Sequence, residues 1–196
     1  GDPLLRPPGA LEEEAFLAAC IRCGQCVEAC PTDVLRLGDL DKGVSAGTPF
    51  FVAAERACDL CGDREAMACI ASCPTAALAP TARERVDIGV AHVCQGTCVA
   101  YRGEACRDCV DACPFKDEAI FLDGRGRPRV RPGRCVGCGL CEQACPLEAK
   151  AVTVTPAAYI RRTGDIIHNP AHEGEHADGQ DGSRGGPGRR RGGGEP

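Results

Sequence analysis

Apolar residues along this chain come in short bursts, never in long runs. In "ALEEEAFLAA" (10–19), Ala15, Phe16 and Ala19 follow an acidic first turn, which predicts a short helix delivering the chain to Cys20. Further on, "DVLRLG" (33–38), "AALAP" (76–80), "AIFLDG" (119–124) and "AVTVTP" (151–156) each predict a short extended segment. "AIFLDGRGRPRVRPGRC" (119–135) places two such runs around a Gly-rich turn and predicts a hairpin. No apolar run approaches the length needed to span a bilayer. From Gly174 the chain is Gly-rich, with Arg189, Arg190 and Arg191 and little to bury, so 156–196 is expected to be a largely disordered tail.

Each extended segment follows a Cys-Pro pair, and each pair closes a run of cysteines. "CIRCGQCVEACP" (20–31) and "CVGCGLCEQACP" (135–146) share the spacing C-x2-C-x2-C-x3-C-P. "CDLCGDREAMACIASCP" (58–74) and "CVAYRGEACRDCVDACP" (98–114) are variants, each with an x7 interval. Four thiols this close cannot readily pair with one another as disulfides. They are good ligands for a soft metal centre, and the first spacing is the bacterial run for a [4Fe–4S] cluster. In two-cluster ferredoxins the fourth cysteine of such a run reaches the other cluster. The x3 interval starts a helical turn that carries that cysteine away, and proline, with no N–H and a fixed φ, ends the turn. Gly24 lets the backbone approach the inorganic sulfurs, where N–H groups can donate.

Sixteen of the seventeen cysteines fall in the four runs. Cys94 is the spare: Cys98 gives an x7 loop to Cys106, equal to that from Cys61 to Cys69, whereas Cys94 would need a longer loop with no counterpart. An odd count and the repeated Cys-Pro endings argue against a disulfide scaffold, and the absence of His from the runs argues against zinc.

Composition agrees with a metal-dependent fold. Aromatics are 4% with no Trp, and Gly and Pro number 25 and 15. A chain so poor in core anchors gains folding energy from metal–ligand bonds, so the apo protein is expected to be largely unfolded. The formal charge is −5, which four loaded clusters would carry to about −13. No basic stripe with interleaved aromatics points to nucleic acid.

The expected class is α+β with small, cluster-dominated elements: duplicated bacterial ferredoxin-like modules, each for two [4Fe–4S] clusters, with short helices and β-hairpins repeating at about 40 residues. Residues 1–19 are a leading segment with a short helix, 20–155 the four-cluster body and 156–196 the tail. Matched spacing suggests a nested body, with 20–46 and 114–155 forming one module around a second at 47–113; tandem pairing is the alternative. Nesting assigns Cys20, Cys23, Cys26 and Cys145 to one cluster and Cys135, Cys138, Cys141 and Cys30 to another. It assigns Cys58, Cys61, Cys69 and Cys113 to a third, and Cys98, Cys106, Cys109 and Cys73 to a fourth.

Other features are weaker. His168, His172 and His176 are spaced by four, but Pro170 and Gly174 oppose the helix that would align them. His92 reads as structural, and Lys116 and Lys150 as charges offsetting the clusters. "GRGRP" (124–128) is a hairpin turn, not a nucleotide loop. No Ser/His/Asp set or carboxylate pair suggests chemistry on a substrate; the expected work is one-electron transfer.

"LRPPGALEEEAFLAACIRCGQCVEACP" (5–31), "GTPFFVAAERACDLC" (47–61) and "VCQGTCVAYRGEACRDCVDACP" (93–114) resemble the NapG/MauM ferredoxin-type proteins, over roughly residues 4 to 156. The resemblance implies a periplasmic four-cluster electron carrier, not an enzyme, with the ligand at Cys98. It implies a polytopic membrane quinol-oxidising partner of the NapH/MauN kind, and a downstream periplasmic acceptor such as nitrate reductase. Membrane association would run only through that partner. A MauM-like accessory role in methylamine dehydrogenase maturation or electron transfer is the alternative, and a metal-stabilised interaction module a third. Nested pairing also resembles that of four-cluster subunits of membrane-linked oxidoreductases. Family members typically begin with a twin-arginine signal; this chain begins at Gly1, without Met or signal, and is expected to be processed or trimmed.

Overall fold

The computed structural model describes residues 4–62 and 64–167. Helix α1 (Glu13–Ala19) has Glu13 and Glu14 in its first turn and buries Phe16 completely. It is the helix expected at 10–19, with a later start. Residues 9–11 instead run extended beside 77–79: Leu11 N–H donates to Ala77 O at 3.1 Å, and Ala79 N–H donates to Gly9 O at 2.7 Å. Between these come the one-turn helix α2 (Gln25–Glu28), the antiparallel pair β1 (Arg36–Leu37) and β2 (Pro49–Phe50), and the one-turn helix α3 (Ala68–Ala71).

The same order then recurs. Strand β3 (Gly89–Val93) leads to α4 (Asp108–Asp111), the antiparallel pair β4 (Ile120–Leu122) and β5 (Pro128–Val130), α5 (Leu140–Gln143) and β6 (Val152–Pro156). The β4–β5 pair is the hairpin expected in 119–135. Its turn is held by Asp123, which accepts from the backbone N–H groups of Arg125 and Arg127 at 2.9 and 3.1 Å. β6 returns to pair antiparallel with β3, from Gly89 opposite Pro156 to Val93 opposite Val152. His92 lies on β3, opposite Thr153.

Each unit thus opens on an extended segment, runs through two cysteine motifs joined by a short ribbon, and closes by pairing with its own start. Helix α2 packs on α3, and α4 on α5. This corrects the nested body: the units are consecutive. The reason lies in the connections. Each two-stranded ribbon folds back on itself, β4–β5 by a short turn and β1–β2 through residues 38–48, so consecutive runs face each other, as neighbouring elements usually do. Equal insertion lengths exert no such force.

The units share a seam. Val136 and Cys138 of the fourth run are buried in the first unit's core, with Leu60 and Ile88. Cys58 N–H donates to Cys138 O at 2.9 Å, and Ile88 N–H to Val136 O at 3.1 Å. A Cβ on Gly139 would meet Ala53 Cβ at 2.5 Å, so only glycine allows this approach; its φ of +86° suits glycine as well.

Two further features lie beyond the motifs. Arg6, only 6% exposed, pairs with Glu13 and donates to Thr48 Oγ1, Ser45 Oγ and Pro49 O at 2.8, 2.9 and 3.1 Å, with Phe16 beneath its guanidinium. Residues Ala157–Thr163 form helix α6, so this part of the expected disordered tail is helical. Arg161 of α6 pairs with Glu12 at 2.8 Å and Asp87 at 2.6 Å, bridging the two units. The spaced histidines, 168, 172 and 176, and the Arg run lie outside the described residues.

Candidate metal centres

All seventeen cysteines are free thiols. Sixteen of them line four cavities, four to each. Cys20, Cys23 and Cys26 share the first with Cys73. Cys58, Cys61 and Cys69 share the second with Cys30. Cys135, Cys138 and Cys141 share the third with Cys113. Cys98, Cys106 and Cys109 share the fourth with Cys145. Within each unit the closing cysteines cross over, and the one-turn helices explain how. α2, α3, α4 and α5 each carry the third cysteine of a run at one cavity and point the fourth toward the other.

The nested quartets are corrected accordingly. Cys145 lies with Cys98, not Cys20; Cys30 lies with Cys58, not Cys135; Cys113 lies with Cys135, not Cys58; and Cys73 lies with Cys20, not Cys98. In the third run, Cys98 lines the cavity. Cys94 is held beside it: its N–H donates to Ala151 O at 2.8 Å and its Sγ accepts from Thr97 Oγ1 at 3.3 Å. Lys150 donates to Cys145 O at 2.5 Å, capping the turn behind that ligand position.

The four cavities are alike in size. Among the described residues no three Cys, His, Asp or Glu side chains converge tightly enough for a single ion. The sulfurs stand around a space, which fits a polynuclear centre and not a lone zinc. Backbone N–H groups already point at sulfur: Leu60 to Cys58, Ala68 to Cys61, Ala91 to Cys135 and Ala151 to Cys145, each at 3.4 Å. Such donors lower the cost of concentrating negative charge.

That cost is high without a metal. Burial, with repulsion from Cys20 and Cys23, pushes the Cys26 thiol up to about 11. Burial and Cys61 push Cys69 to about 12. Burial, Cys98 and Cys106 push Cys109 to about 12. Burial pushes Cys138 to about 11, and holds Cys58 and Cys141 well above the ordinary range. Cys73 goes the other way: burial opposes ionisation, but the N–H groups of Leu78 and Thr75 and the Thr75 hydroxyl outweigh it. A cationic core held by four thiolates would offset much of the penalty, so loading and proton release are coupled.

Exposure is uneven among the quartets, and Cys98, Cys109 and Cys145 of the fourth are buried. Cys58, Cys61 and Cys69 are all buried, as are Cys138 and Cys141, while Cys23 is the one exposed cysteine. Sequence reasoning selected the sixteen thiols that line cavities but missed what surrounds them. The seam at Ala53 and Gly139 has no motif, and neither has the apolar surface beside Cys23.

Paired cavities with crossed closing cysteines define an iron–sulfur protein of the dicluster ferredoxin type, and the family model for the 4Fe-4S dicluster domain matches residues 19–77 and 102–149. The first segment holds the first and second runs; the second holds the fourth run and the third from Cys106 onward, with Cys98 just before it. The chain belongs to the NapG/MauM family of ferredoxin-type proteins. It is 47% identical over 163 residues to the methylamine utilization ferredoxin-type protein MauM of Methylorubrum extorquens, covering 78% of this chain and 72% of that one. It is 42% identical over 179 residues to the ferredoxin-type protein NapG of Escherichia coli K12, covering 84% and 75%. The ferredoxin-type protein NapF of the same organism is 30% identical over 149 residues, covering 74% of this chain and 82% of its own length. The mixed fold of short helices and small antiparallel sheets is that of such domains. Among the described residues no helix is long and apolar enough to cross a membrane.

Proposed function

We propose that the chain carries four [4Fe–4S] clusters and relays electrons from a membrane quinol-oxidising partner to a periplasmic oxidoreductase. The single observation behind this reading is the set of four similar cavities, each lined by four thiols. The ligand quartets are Cys20, Cys23, Cys26 and Cys73; Cys58, Cys61, Cys69 and Cys30; Cys135, Cys138, Cys141 and Cys113; and Cys98, Cys106, Cys109 and Cys145. Each cluster supplies reversible one-electron storage when bound. The protein's own residues set where the charge is held. Crossed Cys30 and Cys73 link the first pair of centres, and crossed Cys113 and Cys145 link the last. The bond from Cys58 to Cys138 joins the pairs. The resulting order runs from the quartet with the exposed Cys23, through those of Cys58 and Cys138, to that of Cys106.

Periplasmic location and a partner of the NapH/MauN kind are part of the same reading, and rest on kinship with NapG. The higher identity to MauM favours a second role, accessory to methylamine dehydrogenase in its maturation or electron supply. Anaerobic purification with iron and acid-labile sulfide counts tests the first part: about sixteen of each are expected, and a reproducible yield near eight overturns four clusters. Copurification of a membrane partner from native cells tests the second.

A further inference from the structure

Among the described residues, five large apolar side chains are exposed, and four of them, Ile21, Leu37, Leu40 and Val44, come from one stretch of chain. Exposure reaches 63% at Ile21, 92% at Leu40 and 77% at Val44. The fold gathers them around Cys23. Arg22, next to Cys23, donates to Val44 O at 3.3 Å and Ala46 O at 2.9 Å, which clamps the 40–46 turn over the first cysteine loop. Leu37 lies against Gly24 from the other side. The only exposed cysteine of the seventeen is thus bordered by an apolar collar.

Among the described residues nothing covers the collar: its side chains are exposed, while Ser45 and Thr48 of the same stretch are buried on Arg6. Its charge points to the occupant. Asp39 and Asp41, on either side of Leu40, are exposed, as is Glu28 at the end of α2, which follows the first cysteine loop. Lys42 is paired with Asp41, and the Arg22 guanidinium, held on the carbonyls just named, keeps its charge, so three carboxylates stand against two cations. Four thiolates add negative charge once the cavity is loaded. An apolar surface with an acidic rim, set over the most accessible thiol, complements an apolar cofactor edge with a basic rim.

We propose that the face formed by Ile21, Leu37, Leu40 and Val44 around Cys23 is the electron-exchange surface, and that it receives a one-electron redox protein whose cofactor edge is apolar and ringed by basic side chains. The inference rests on the proposed loading of the quartet Cys20, Cys23, Cys26 and Cys73. Each exchange moves one electron from the reduced protein to one oxidised partner, with no bond made and no proton required.

The test uses the loaded full chain, reduced with dithionite and freed of excess reductant by gel filtration. The probe is ferric cytochrome c with a lysine-ringed haem edge, which becomes ferrous as one electron leaves the reduced protein. Leu40→Asn with Val44→Asn is expected to keep the wild-type iron content and reduced-state EPR spectrum, and to lower the second-order rate about tenfold. Asp39→Lys with Asp41→Lys is expected to slow the reaction and flatten its dependence on ionic strength. Arg102→Gln with Glu104→Gln, at the far end, is expected to leave the rate unchanged. Equal rates for wild type and the apolar pair overturn the proposal, as does slowing by the far-end pair alone. So does a wild-type dimer in sedimentation velocity that the apolar pair dissolves, which would make a second copy the occupant. Loss of vesicle binding in the apolar pair would make it lipid. A low iron count in the wild type refutes the loading itself and is read separately.

Discussion

Cys58 of the second run donates its backbone N–H to the carbonyl of Cys138 in the fourth run, at 2.9 Å. Both side chains are buried, at 6% and 7% exposure, so the bond is shielded from water. It ties a ligand position of one unit to a ligand position of the other. Ala53 and Gly139 close the same seam with no space to spare. Ala53→Val is therefore expected to destabilise the loaded protein by about 1–3 kcal/mol through overpacking, with iron retained. Anaerobic urea unfolding measures it, and an unchanged midpoint would show a looser seam.

The crossed pairing makes a prediction about additivity. Cys20→Ser and Cys73→Ser should each cost or convert the same centre, so the double variant should lose no more iron than either alone, about four atoms. Cys20→Ser with Cys145→Ser should strike two centres and lose about eight. Iron counts that reverse these outcomes would restore the nested quartets.

Cys98 lines the cavity of Cys106, Cys109 and Cys145, and Cys94 is not among that cavity's lining residues. Cys98→Ser is expected to lose or convert one cluster. Cys94→Ser should keep the iron content and the reduced-state EPR spectrum. If neither single variant loses a cluster, the two thiols substitute for each other.

Arg6 is buried with Glu13, Ser45, Thr48 and the carbonyl of Pro49 on one guanidinium. Arg6→Met strands these partners, and a loss of about 3 kcal/mol is expected. Arg6→Lys should recover only part of it, since an ammonium cannot reproduce the planar fork. Thermal or urea unfolding of the two variants, compared at equal iron content, decides the point.

In metal-free protein the thiol shifts fix a direction with pH. Cys26, Cys69, Cys109 and Cys138 have folded values of about 11 to 12 against an ordinary 9.0. Above pH 9 the unfolded chain sheds protons that the folded chain keeps. The folded state then binds more protons, so its stability falls as pH rises. Residual apo structure, followed by circular dichroism, should be greatest below pH 9 and vanish progressively from pH 9 to 12. Loaded protein should fail at the acid end instead, where protons compete with iron for thiolate.

The cavity-lining cysteines could be read from the sequence because their spacing states local geometry. C-x2-C-x2-C fits one loop, and x3 to Cys-Pro fits one helical turn. The hairpin at 119–135 and the helix ending near Cys20 were legible for the same reason. Which run faces which was not, because Cys30 and Cys73 meet their quartets only through the β1–β2 ribbon, whose strands of two residues carry little signal. Strand β3 was hidden too: "GVAHV" is defined by its five-residue register with β6, far along the chain. Arg6 shows the limit most plainly. An arginine between Leu5 and Pro7 gives no hint of burial until Glu13, Ser45 and Thr48 are folded around it.

The consecutive arrangement of the two units also sets the order in which the molecule can be made. In a nested chain the first quartet would wait for Cys145, near the end of the folded body. Here its last member is Cys73, and the second quartet's last member is Cys69. Every thiol of the first unit is therefore in the nascent chain before β3 is synthesised. Neither quartet of a unit can close without the other's run, so maturation advances in pairs, and a nascent chain stalled midway already contains one complete half.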